Sequence, residues 1–254
     1  MDIKPTPPNS DSRIDKILRD SERRLGVNRV RVLERLTQYP EYLLSAWDSI
    51  QRNLDTLVFL RLERQLRGIA NRNALKYAGI DVCLNCLENK QLSREESRKL
   101  AYSIEKVYIS APKLFLITAA LRAGAVNAYL QWYQTPIEAA ATLELSVIPE
   151  ERGAFIESSA LLDELWATIN NADIQDVIIT NATSLKSKAD ILVREIPYPI
   201  SFDSNFRNSS DVYEVVRLAE HYEGIYAVIL QYIAIIRCAI ITKERKARLS
   251  RAAK

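Results

Sequence analysis

The stretch Ile225-Tyr-Ala-Val-Ile-Leu-Gln-Tyr-Ile-Ala-Ile-Ile-Arg-Cys-Ala-Ile-Ile-Thr242 decides how this chain is read. About 18 residues of almost unbroken apolar character approach the length of a membrane span. Gln231 and Arg237 interrupt the run, so the reading taken is a helix that is apolar all round because it lies in a protein core. Downstream, Lys243 to Lys254 holds six basic residues against Glu244 alone, which leaves the rest of the chain near −2 out of a net +3. A near-neutral body argues against a large nucleic-acid footprint, which needs a basic face to displace counterions. The tail has the composition to touch phosphate or anionic lipid, but the plainer reading is a solvated, fraying helix end.

The rest of the chain is consistent with a helical core. With 48% hydrophobic and 26% charged residues, the 254-residue chain has the composition of a globular protein. Six glycines are few for tight hairpins or phosphate-cradling loops. Residues 1–10, with Pro5, Pro7 and Pro8, read as a disordered leader, and no apolar segment there resembles a secretory signal. Three cysteines in such a chain point to a reducing, cytoplasmic compartment.

From Ile14 onward, apolar residues recur at helical spacing, with two helices expected to join near Gly26. Pro40 opens a long amphipathic run over Glu41 to Leu66, and Ser93-Arg-Glu-Glu96 is a capping box for a helix through Val107. Pro112 is expected to open the next helix, Lys113 to Arg122. An internal repeat is also visible: Leu43, Trp47 and Ile50 fall over Leu162, Trp166 and Ile169, and Leu100-Ala101 and Val107-Tyr108 fall over Leu218-Ala219 and Ile225-Tyr226 at nearly the same offset. The fold class expected is therefore all-α, about ten helices in two pseudo-repeated halves, 11–127 and 128–242, followed by the basic tail 243–254. A cleft between such halves is a usual place for a small-molecule site.

The residue inventory excludes several chemistries. A single histidine, His221, cannot build a multi-histidine metal site, and neither HExxH nor GxSxG occurs. Nucleotide-binding glycine loops are absent too. Cys83 and Cys86 form a CxxC pair, but no histidine or cation adjoins them to activate a thiolate, and their alternating apolar neighbours suit buried packing better than redox chemistry. Glu150 and Glu151 follow Pro149 at an expected helix start, where the helix dipole alone favours acids. Their functional reading is that one faces a cleft and, desolvated, activates water.

Three stretches together resemble the group I 2-haloacid dehalogenases, an all-helical family of two similar halves. The first is Val32-Leu33 through Pro40-Glu-Tyr42-Leu43 to Ala46-Trp47; the second is Tyr108-Ile-Ser110-Ala111-Pro112-Lys113 with the apolar helix after it; the third is Arg194-Glu-Ile-Pro197-Tyr-Pro199. The resemblance implies hydrolysis of a small 2-substituted carboxylic acid by a carboxylate-activated water, without a cofactor. Glu151, beside Glu150, would stand at the position of the family's catalytic aspartate. Tyr108, Ser110 and Ala111 would line the water and substrate site, with Lys113 or Arg152 pairing the substrate carboxylate. Ala111 replaces the family's water-holding asparagine and has no hydrogen-bonding side chain. A second reading is therefore a catalytically inactive member that binds a small ligand or another protein. The partner expected is a small carboxylic acid, with no nucleic acid and no membrane span; a homodimer through apolar helix faces is compatible with either reading.

Overall fold

The protein is described by a computed structural model covering residues 10–76, 79–90, 92–133, 155, 160–170, 175–202 and 209–252. Among these residues the regular structure is entirely helical. The elements are α1 (Ser10–Leu25), α2 (Arg31–Leu36), α3 (Pro40–Leu54), α4 (Leu57–Leu75), α5 (Gly79–Asn89), α6 (Arg94–Tyr133), α7 (Ala160–Asn170), α8 (Gln175–Leu192), a short 3-10 turn (Val193–Glu195) and α9 (Ser209–Ala252).

Local chemistry explains several of the helix boundaries. Gly26 takes φ of +69°, a left-handed conformation that glycine adopts without a Cβ penalty, and its N–H and that of Val27 both return to the Glu22 carbonyl to close α1. Pro40 occupies the first turn of α3, where its missing N–H costs nothing. The capping box is reciprocal: Ser93 N–H donates to Glu96 Oε2 at 2.8 Å and Glu96 N–H to Ser93 Oγ at 3.2 Å.

Two boundaries differ from the sequence expectation. The run Glu41 to Leu66 is two helices, because Thr56 accepts the Phe59 N–H through its hydroxyl at 3.1 Å and so starts α4 afresh. Conversely, Pro112 opens nothing; it lies inside the 40-residue α6. An interior proline costs about 3 kcal/mol, and apolar burial offsets it here, since every residue from Leu114 to Leu121 is buried. The expected boundary at 127/128 falls within this helix.

Helices α6 and α9 form the axis of the molecule. They run antiparallel, as shown by Arg237 meeting Glu105 and Arg122 meeting Glu223. Around them, α9 also packs against α2, α4, α5, α7 and α8. From Tyr222 to Ile236 every residue of α9 is buried, so the apolar run Ile225 to Thr242 is core on all faces except in its last turn, where Ile241 is 46% exposed. By length and hydropathy alone, both α6 and α9 are also sufficient to cross a membrane.

A strap after α8 closes one side. Asn53 reads its backbone as a strand neighbour would: its Nδ2 donates to Tyr198 O at 2.5 Å, and Tyr198 N–H donates back to its Oδ1 at 3.1 Å. The same strap passes so near α6 that a Cβ on Gly124 would lie 2.5 Å from Ile200 O.

Candidate functional site

The carboxylates Glu150 and Glu151 and the neighbouring Arg152 lie outside the described residues. The other four expected site residues share α6, and the helix divides them. Positions 106, 109, 110 and 113 recur at three- and four-residue spacing and share one face. Ser110 and Lys113 therefore line an open groove of about 400 Å³ between the end of α1 and the first half of α6. Arg23, Arg24, Leu25, Gly26, Tyr102, Glu105, Lys106 and Ile109 complete its wall. Ser110 is almost fully buried, its Oγ 3.7 Å from where a Cβ on Gly26 would stand, so the left-handed turn packs directly over the hydroxyl.

Tyr108 and Ala111 turn the other way, into the core. The Tyr108 hydroxyl accepts from Asn71 Nδ2 at 2.6 Å, and its ring carries the Arg237 guanidinium at 4.4 Å. Arg237 also donates to Glu105 Oε1 at 2.5 Å. Tyr108 thus explains how an arginine is accommodated in the apolar run of α9, and it does not face the groove.

The groove is cationic. Its single carboxylate, Glu105, is already engaged by Arg237, whereas Arg23, Arg24, Lys106 and Lys113 all border it. Arg23 and Arg24 pair with Asp20, and Arg24 also donates to both Asp55 oxygens at 2.9 and 3.1 Å; burial pushes the Asp20 carboxyl up, and the two guanidiniums more than offset it, so it rests below the ordinary range. Lys106 donates to Asn28 Oδ1 at 3.1 Å. Lys113 forms no ion pair with a described residue and acts at a distance on Glu63, a buried carboxyl of α4. Burial raises the Glu63 pKa, and Lys113, Arg67 and Arg64 draw it partly back. On the other flank of α1, a smaller groove of about 270 Å³ mixes Arg13 and Lys16 with Asp20 and Asp48, and so lacks this excess of positive charge.

A second charged cluster was missed in the sequence. Arg122 of α6 donates to Glu223 Oε2 of α9 at 2.7 Å and to Asp190 of α8. Glu223 is fully buried, and its Oε1 has no hydrogen-bond partner. Burial raises its pKa despite Arg122. The available signal was an acid placed among Tyr222, Ile225 and Tyr226 on a helix that is otherwise apolar. Glu63, between Leu62 and Leu66, gave the same signal.

Cys83 and Cys86 are not bonded to each other, and Cys83 is pushed up to about 12 by burial and then by Cys86, far from the thiolate that disulfide exchange needs. His221 is exposed and meets the Tyr222 ring edge-on at 5.3 Å. No group of three or more metal-ligating side chains is present among the described residues. Comparison with protein-family models, curated proteins and solved structures gives no match. The likeness to the haloacid dehalogenases accordingly rests on the three sequence stretches alone.

Proposed function

We propose that this chain is a helical binding module for a small carboxylate-bearing molecule, held in the groove between α1 and α6. One observation carries the reading: the groove gathers Arg23, Arg24, Lys106 and Lys113 around Leu25, Ile109 and Tyr102, with its one carboxylate already committed elsewhere. A carboxylate needs a cation that is not fully neutralised, and an apolar tail needs an uncovered apolar wall. Lys113 supplies the first, Ser110 adds a hydroxyl at the base, and Ile109 and Tyr102, 44% and 72% exposed, supply the second.

Hydrolysis of a 2-halo acid is the activity that the dehalogenase resemblance adds to binding. Glu151 would be its base, with Glu150 and Arg152 beside it. Ala111 weighs against it, being buried in the core with no group to hold a water. The two-half architecture belongs to the same reading. It is supported by the burial of both triplets, Leu43, Trp47 and Ile50 on α3 and Leu162, Trp166 and Ile169 on α7.

Calorimetric titration with 2-chloropropionate, alongside a halide-release assay, tests both. Saturable binding that Lys113→Gln weakens on the order of tenfold supports the groove. Halide release that Glu151→Gln abolishes would make the chain a hydrolase. No binding by the intact protein sinks the proposal.

A further inference from the structure

The two axial helices outrun the body that surrounds them. At 1.5 Å per residue, α9 is about 66 Å long and α6 about 60 Å, while a compact chain of this length has a radius of gyration of about 18 Å. Among the described residues, such an excess is visible at one end. Every residue from Ser93 to Lys99 is exposed, as is every residue from Glu244 to Leu249, in each case more than a full helical turn with no face covered. The antiparallel register set by the Arg237–Glu105 pair brings these stretches side by side, so they form a single two-helix tip. Its base is anchored to α5, by Lys243 donating to the Leu87 carbonyl and Lys246 pairing with Glu88.

The side chains on this tip are of two kinds. Arg94, Arg98, Arg245 and Arg248 form no ion pair or hydrogen bond with any described residue, whereas Lys99 is paired with Glu95 and Glu96 caps Ser93. Leu249, 65% exposed, stands in solvent among them, and just behind the tip Tyr102 and Ile241 are 72% and 46% exposed. On α9, Ile241, Arg245, Arg248 and Leu249 recur at helical spacing along one side.

We propose that this two-helix tip docks on an anionic lipid surface. The four arginines would sit at headgroup phosphates, whose oxygens they match in pairs, and Leu249, followed by Ile241 and Tyr102, would enter the interface. Charge complementarity names an anionic partner, and the apolar groups select lipid over nucleic acid. A phosphodiester backbone rewards the cations but offers nothing to exposed leucine and isoleucine, whereas a headgroup boundary rewards both. The tip is also narrow, and the body behind it is close to neutral, which suits contact at a plane better than tracking along a duplex. This docking is peripheral and leaves the buried middle of α9 in the core.

Vesicle flotation of the full chain provides the test, with phosphatidylcholine alone and phosphatidylcholine mixed with phosphatidylserine. The expected result is binding to the anionic vesicles only, weakened by salt. Arg245→Glu with Arg248→Glu should lower it on the order of tenfold or more, and so should Arg94→Glu with Arg98→Glu on the other helix. Leu249→Asp should weaken binding in a way that low salt does not rescue. All five positions are exposed, so circular dichroism and the urea midpoint should not move, which separates lost docking from lost folding. Equal flotation on neutral vesicles, or no response to either arginine pair, overturns the proposal. So does a response confined to α9, since the tip is then not one surface. Tighter binding to a DNA or RNA duplex, with the same arginine dependence, would assign the tip to nucleic acid instead.

Discussion

Arg122 and Arg98 lie on the same helix, yet the first is mostly buried against Glu223 and Asp190 and the second stands in solvent with no described partner. The residue type is identical, and tertiary position makes one arginine part of the core and the other part of a surface. Where α8, α6 and α9 converge, charge is admitted only because it is paired, and even there one carboxylate oxygen of Glu223 remains unsatisfied. At the tip, water screens each guanidinium, so its energetic weight is small until an anionic partner arrives. Folding should therefore depend on the first end and association on the second.

The contrast is most exposed to refutation at Arg122. Arg122→Met leaves Glu223 in the core without its cation and should cost about 3–5 kcal/mol of stability, read from urea unfolding. The effect should depend on pH. Glu223 is raised above 4.5 in the folded chain, so its favourable contribution is complete below that value and is lost as pH rises through the raised one. Removing Arg122 raises it further, and the destabilisation should be larger at neutral than at mildly acidic pH. Glu223→Gln should flatten that slope; a variant whose pH dependence matches the parent would remove Glu223 from the account.

Backbone packing at the same end offers a smaller effect. Gly124→Ala drives a methyl against the Ile200 carbonyl and should cost about 1–3 kcal/mol, since a strap tied to Asn53 has little freedom to retreat. An unchanged melting temperature would show that the strap yields.

The middle of α9 should respond in the opposite direction. Gln231 is fully buried with neither end of its amide hydrogen-bonded, so Gln231→Met should stabilise the chain by about 1 kcal/mol. Destabilisation by that substitution would mean the amide serves an unrecognised partner. Smallest of all, Arg245→Glu should leave the urea midpoint where it is, because no described residue depends on that side chain. A clear shift there would erase the distinction between the two ends.

Much of the helical pattern was legible from local chemistry. Gly26, Pro40 and the Ser93 to Glu96 capping box announced boundaries that hold, because each acts through its own backbone or its nearest neighbours. Pro112 misled for the complementary reason: its local preference is to start a helix, and distant packing on both sides overrode it. Of the candidate site, Lys113 and Ser110 do reach a groove, while Tyr108, two residues from Ser110, turns to the opposite side of the helix. Glu63 and Glu223 were visible only as acids on apolar faces, with nothing to name the cations that meet them.

By itself the sequence determined that this chain is helical, where several helices begin, and that the run Ile225 to Thr242 belongs to a core, which holds up to its last turn. Those properties follow from periodicity and capping, which act over a turn or two. Only the tertiary structure decided that Glu223 meets Arg122 across 101 positions and that the ends of α6 and α9 emerge together as one tip. Such pairings depend on the register between two long helices, and register is set by the packing of the whole molecule.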